Sequence, residues 1–346
     1  MHEFDLSGRS EKDAIIAMQI DEPVGGSFAY RTLQTPGFAG TAGDGLLSIV
    51  GISGVDVPVE GENTVELFLV NHRPSVDTET RAVSKDQSTT GGNATIEHFA
   101  IRGSRAEEMM YLQTWADDAI ATPNRPAAAG NGGFYVTNSH GRYKTGVASQ
   151  LGVLLGTGDV AFCSPGKGCR RVSSGHKGPN GMARREGLVY VPNMLRGNVQ
   201  VFNITEDGGL QEVEDIHVGY AIDNLSVDAK GDVYAAAFPA MADMRRAFGD
   251  PLNARPSATA LRIRKGEDGM HTWEKVLEDG DGGVFAGATT VVHDAKTGRL
   301  FLSGKLSQGP AESRDSDVGR CYLTVHHSVR ASFSMKRAKS TWEGDG

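Results

Sequence analysis

Ala221-Ile222-Asp223-Asn224-Leu225-Ser226-Val227-Asp228, then Ala229-Lys230-Gly231-Asp232, then Val233-Tyr234-Ala235-Ala236-Ala237, reads as two alternating β-type runs joined by a turn. Asp223 and Asn224 stand where the first run begins, so a carboxylate and an amide oxygen are offered side by side at the mouth of a hairpin. Hard cations such as Ca²⁺ take both kinds of oxygen. Asp-Asn is also ordinary turn chemistry, so the rest of the chain decides between the two readings.

Working outward, the same pattern of short strand and turn recurs. Leu46–Ile52, Thr64–His72, Ala94–Ile101, Met109–Leu112, Gly133–Asn138, Asp159–Cys163, Gly187–Val191, Asn198–Asn203, Leu210–Val213, Thr259–Arg264, Thr289–His293 and Arg299–Gly304 all read as strands. Ala240–Phe248 has helical spacing and ends at Gly249, which predicts a short helix inserted in a loop. Residues 1–45 are weakly patterned, and Lys305–Gly346 reads as an irregular polar tail. Four-stranded antiparallel units at this spacing are the mark of a β-propeller, whose blades bury their faces only when stacked around an axis. The expectation is one all-β propeller domain over 1–304 followed by the tail.

Composition agrees. The 346 residues include 45 glycines and only 7% aromatics, which suits many tight turns better than long helices. A net charge of −8 with no basic cluster argues against nucleic acid. No stretch is apolar enough to span a bilayer, and the first residues have neither the basic start nor the apolar core of a signal peptide. The close pair Cys163 and Cys169 lacks zinc-ligand spacing, and with Cys321 it is read as free thiols.

Four motifs carry a family resemblance: Phe68-Leu69-Val70-Asn71-His72-Arg73-Pro74, Phe134-Tyr135-Val136-Thr137-Asn138-Ser139-His140, Pro179-Asn180-Gly181-Met182 and Asp223–Asp228. In order and spacing they resemble the paraoxonase/arylesterase family, part of a wider group of calcium-dependent six-bladed propeller lactonases that includes gluconolactonase-like proteins. The resemblance runs from about Leu46 to Gly304. It implies a six-bladed propeller and a calcium ion at the mouth of its channel, with Asn124, Asn180, Asp223 and Asn224 as ligands. It also implies hydrolysis of a small lactone or carboxylic (aryl) ester by water, with His72 assisting as a base. A monomer is expected.

The departures are specific. No equivalent is identified for a calcium-ligating glutamate that the family carries upstream of the Leu46 strand, and the chain is expected to begin too late to contain it. Val50 stands where the first histidine of the family's dyad falls, and Phe238 where another is expected. Arg125 stands where many members carry an Asp for a second calcium, so one ion is expected rather than two. These changes keep two alternatives open: a propeller that has lost catalysis and acts as a binding scaffold, and a metal-independent propeller like strictosidine synthase. Ser139-His140 lacks a nucleophile-elbow context and is set aside.

Overall fold

The computed structural model describes residues 13–21, 28–59, 62–250 except 78, 81, 85, 87, 89 and 90, 253–304 except 284, and the pair 321–322. Most of the expected tail therefore lies outside the described residues.

Strands dominate, and they form consecutive antiparallel meanders. The first complete blade is β3 (Ile49–Val59), β4 (Glu62–Arg73), β5 (Asn93–Arg102) and β6 (Met110–Trp115), paired in that order after β1 (Ala14–Met18) and β2 (Tyr30–Leu33). The second is β7 (Pro123–Gly130), β8 (Gly133–Asn138), β9 (Gly158–Ser164) and β10 (Gly168–His176). The third is β11 (Ala183–Arg185), β12 (Leu188–Asn193), β13 (Asn198–Ile204) and β14 (Leu210–His217). The fourth is β15 (Ala221–Val227), β16 (Val233–Phe238), β17 (Ala258–Lys265) and β18 (His271–Asp279). A two-stranded sheet of β19 (Ala288–Asp294) and β20 (Arg299–Gly304) follows. β1 pairs with β2 on one side and, in parallel, with β21 (Cys321–Tyr322) on the other. The architecture is an all-β propeller with four complete four-stranded blades.

Strand alternation explains how the sheets stack. Successive side chains of a strand point to opposite faces, so a strand between two neighbours is apolar on both sides. In β4, Val65, Leu67 and Leu69 join the core toward β1 and β2, while Phe68 and Val70 join the core shared with Phe134 and Val136 of β8. In β16, Val233, Ala235 and Ala237 pack toward β13, while Tyr234 and Ala236 pack toward Val291 of β19. Tyr135, Val160, Val189 and Phe202 fill the space between the second and third blades. Met18 and Ile20 meet Val292 and Phe301, so the last sheet packs on the first.

A polar device repeats in three blades. At the end of the second strand, an Asn accepts the backbone N–H of the segment leading into the first strand. Ser48 N–H donates to Asn71 Oδ1 (2.9 Å), Thr122 N–H to Asn138 Oδ1 (3.1 Å) and Lys177 N–H to Asn193 Oδ1 (2.9 Å). Each Asn then donates to the third strand, to Glu97 Oε1, Asp159 Oδ1 and Gln200 Oε1 respectively. Buried amides are satisfied on both ends, and the entry loop of each blade is fixed.

Two helices are inserted at the same end of the blades. α1 (Gly146–Leu155) leaves the end of β8, which pairs with the start of β7 through Pro123 and Asn138. α2 (Met241–Gly249) leaves the end of β16, where Phe238 pairs with Ala221 at the start of β15. It lies one residue later than the expected 240–248, with Ala240 as its N-cap, and Phe238 packs on its Met244 and Ala247. α1 leaves Val147, Leu151, Leu154 and Leu155 exposed on that end.

The free-thiol expectation is corrected. Cys163 and Cys169 are opposite partners in the β9–β10 ladder and form a disulfide, with Cα atoms 4.1 Å apart. The connecting turn has Gly166 and Gly168 at positive φ, which folds the two cysteines onto one rung. Cysteine count was the wrong signal; hairpin register was the right one.

Candidate functional site

Inner strands of successive blades share one irregularity. β3 breaks register between Ile49 and Ile52, β7 between Pro123 and Pro126, β15 between Ile222 and Leu225, and β19 between Ala288 and Thr290. A bulge turns residues out of the ladder and re-aims them. The residues released are Val50-Gly51, Asn124-Arg125, Asp223-Asn224 and Thr289. In the third blade Asn180-Gly181 precedes β11 and is held by the bridge between Pro179 and Asn193.

These segments touch in sequence around the axis. A Cβ on Gly51 would lie 2.2 Å from the Asn124 carbonyl oxygen, and one on Gly181 would lie 1.9 Å from Asn224 Oδ1 and 2.9 Å from Arg125 Cδ. Only glycine permits either approach. Arg125 Nε donates to Ile52 O (2.9 Å), Thr137 Oγ1 to Asn180 O (2.9 Å) and Leu225 N–H to Gly181 O (2.8 Å). Asn224 Nδ2 donates to Thr289 O (2.7 Å), Thr290 Oγ1 (3.2 Å) and Asp223 Oδ1 (2.9 Å). The segments that carry Asn124, Asn180, Asp223 and Asn224 thus touch one after another in an arc from β3 to β19.

His72 lies at the end of β4, on the same end of the blade. Its Nε2–H donates to Pro123 O (2.7 Å), the residue before the β7 bulge. A carbonyl only accepts, so the proton sits on Nε2 and the lone pair of the neutral ring sits on Nδ1. Sequence reasoning did not find Gly51, Gly181, Thr289, Thr290 or the Ile52 carbonyl. Nor did it find Asp13, whose Oδ2 accepts the Ile49 N–H (2.8 Å) beside the β3 bulge. Paired glycines and bulge positions leave no signature in alternation.

Desolvation pushes the Arg125 guanidinium down to about 10, against the pull of Asp223, and it remains a cation at neutral pH. Among the described residues no three His, Cys, Asp or Glu side chains gather into a metal cluster. The expected ligands Asn124, Asn180, Asp223 and Asn224 offer one carboxylate and three amide oxygens, donor types that a hard cation takes. Thr289 O accepts from Asn224 Nδ2, so the Asn224 Oδ1 faces Gly181 and fills the space that a Cβ there would take.

The arylesterase family model matches residues 48–307. The chicken protein described as serum paraoxonase/arylesterase 2 is 27% identical over 249 residues, covering 70% of this chain and 64% of that protein. The mouse serum paraoxonase/lactonase 3 is 26% identical over 243 residues, covering 68% and 61%. The chain therefore spans less than two thirds of the length of these relatives. Among solved structures, a gluconolactonase from Xanthomonas campestris aligns with 15% identity and a TM-score of 0.35, over 75% of this chain and 85% of that one. A calcium-binding regucalcin from Agrobacterium tumefaciens aligns with 10% identity and a TM-score of 0.37, over 78% and 85%. At these scores the likeness carries no argument.

Proposed function

The chain belongs to the arylesterase family, and on that premise we propose that it hydrolyses lactones or carboxylic esters at the ring of bulges. The observation that carries the reading is the ring itself: oxygen-bearing side chains on Asn124, Asn180, Asp223 and Asn224 come from bulges or loop ends at one level of neighbouring blades. The sheets of β1–β2 and β19–β20 are read as the two remaining blades of six.

Asn124, Asn180, Asp223 and Asn224 would hold a Ca²⁺ ion, which when bound acts as a Lewis acid on a carbonyl oxygen. The chain's own residues supply the rest. Thr289 and Thr290 lock the Asn224 amide, so the ring is preorganised before substrate arrives. His72, held at Pro123 O through Nε2, is read as the base that takes the proton of the attacking water. The apolar side chains exposed on α1 at the same end suit an apolar acyl chain or ring.

The reading is tested by assaying phenyl acetate and δ-valerolactone with the wild type and with Asn224→Ala. Hydrolysis by the wild type and its loss by on the order of 100-fold in the variant support the site. No turnover of either compound, with calcium supplied, leaves a binding scaffold as the better account.

A further inference from the structure

In the third blade the buried Asn device reaches into its neighbour. His176, the last residue of β10 in the second blade, is 2% exposed, and its Nδ1 lies 2.9 Å from Gln200 Oε1 on β13 of the third. The same oxygen receives Asn193 Nδ2 (2.7 Å), and Asn193 Oδ1 in turn receives the Lys177 N–H (2.9 Å). Gln200 Nε2 donates to Glu212 Oε2 (2.9 Å), which turns the Oε1 end of the amide to His176. A carbonyl oxygen only accepts, so Nδ1 carries the proton, and Nε2 accepts from Ser173 Oγ at 2.9 Å. Burial lowers the His176 pKa, in keeping with a neutral ring.

In the first two blades the matching acceptor is a carboxylate whose further donors come from its own blade. Glu97 takes the Thr95 and Thr114 hydroxyls, and Asp159 takes Arg171 Nε (2.7 Å). Gln200 is neutral, and its second donor crosses the blade boundary. The stretch that follows the donor, Lys177-Gly178-Pro179-Asn180-Gly181, runs straight into the site. It contains two glycines, one of them, Gly178, at positive φ, so its course depends on where its start is held. Asn180 N–H then donates to Pro192 O at 3.3 Å, next to the Asn193 that shares Gln200 with His176.

We infer that His176 is a positioning residue: its bond from Nδ1 to Gln200 anchors the start of the 177–181 segment, and the anchor sets where Asn180 stands in the site. The second clause rests on the hydrolase reading above, and the first does not.

The anchor is tested by backbone hydrogen exchange, read by mass spectrometry, in wild type, His176→Leu and His176→Asn. Leucine keeps apolar bulk against Phe202, which the imidazole meets edge-on, and removes the donor; the amide nitrogen of asparagine falls where Nδ1 was and restores it. His176→Leu is expected to speed exchange over 177–182 by about tenfold, with the matching segments at Ser48 and Thr122 unchanged, and His176→Asn to return it to within about twofold of wild type. Unchanged exchange in His176→Leu, equal acceleration in all three segments, or no recovery in His176→Asn overturns the anchor. Where His176→Leu does not fold, His176→Met takes its place.

The second clause is read from phenyl acetate hydrolysis at a temperature where every variant is folded. His176→Leu is expected to lower kcat by about tenfold with KM little changed, and His176→Asn to recover it. The double change of Cys163 and Cys169 to serine, at the other end of β10, serves as a control that lowers stability alone and is expected to keep the wild-type kcat. An unchanged kcat in His176→Leu, or an equal loss in the cysteine variant, contradicts the clause. If the wild type hydrolyses nothing, the hydrolase reading falls, and the exchange measurement still decides the anchor.

Discussion

Asn224 Oδ1 stands 1.9 Å from where a Cβ on Gly181 would be, so the carbonyl end of one ring residue occupies the side-chain position of another. Gly181→Ala therefore forces Asn224 off the position that Thr289 and Thr290 fix. The expected cost is about 1–3 kcal/mol, as for overpacking. That is a Tm lower by roughly 5 °C, read by calorimetry, with a larger proportional loss of hydrolysis than of stability. A variant with wild-type turnover would show that this contact has no part in the site.

His72 is bonded to the wall of the ring rather than buried in a core. His72→Gln keeps a donor for Pro123 O and removes the base. A fall of about 100-fold in kcat with KM little changed is expected from steady-state kinetics. A change confined to KM would instead assign His72 to holding β7.

The Cys163–Cys169 bridge closes a short loop across the β9–β10 hairpin. Its contribution is about 2 kcal/mol by loop length. Reduction, or the double change to serine, is expected to lower Tm by roughly 5 °C and to leave hydrolysis at low temperature unchanged. Equal Tm in both redox states would mean the hairpin needs no bridge.

His98, His140 and His176 have pKa values lowered first of all by burial. As pH falls through the ordinary histidine value near 6.5, the unfolded chain takes up protons that the folded chain refuses, so stability falls with pH. Tm is expected to drop between pH 7.5 and about 5.5, and His176→Gln to flatten part of that slope. His176 faces Gln200, Ser173 and the Asp159 and Glu212 carboxylates, which oppose but do not cancel the burial. A Tm constant over this range would contradict the buried neutral rings.

Much of this fold is legible because strands flanked on both sides are largely buried on both faces. β4, β8, β12 and β16 announce themselves as apolar runs, β13 by its alternation, and Asp223-Asn224 is visible because a carboxylate and an amide stand ahead of the run into β16. β7 escapes the same reading: Pro123 and Pro126 argue against a strand, and they are tolerated because the bulge lies between them. β10 and β18 escape because they are polar and exposed, as outer strands are. At the site, amides and carboxylates can be picked out one at a time, but the closeness of Gly51 to Asn124 and of Gly181 to Asn224 is a property of neighbouring blades and has no local pattern. Arg125 was read as opposing a second cation, whereas its bond to Ile52 appears only when the blades are set side by side.

The most direct test is turnover of δ-valerolactone by the wild type and Asp223→Ala, first in excess EDTA and then with calcium restored. The account predicts that wild-type hydrolysis is lost in EDTA and regained with calcium, and that Asp223→Ala is on the order of 100-fold slower in both its calcium-restored rate and its response. Hydrolysis that is indifferent to chelation, or that survives in Asp223→Ala at the wild-type rate, would contradict the ring of bulges as the place where the reaction occurs.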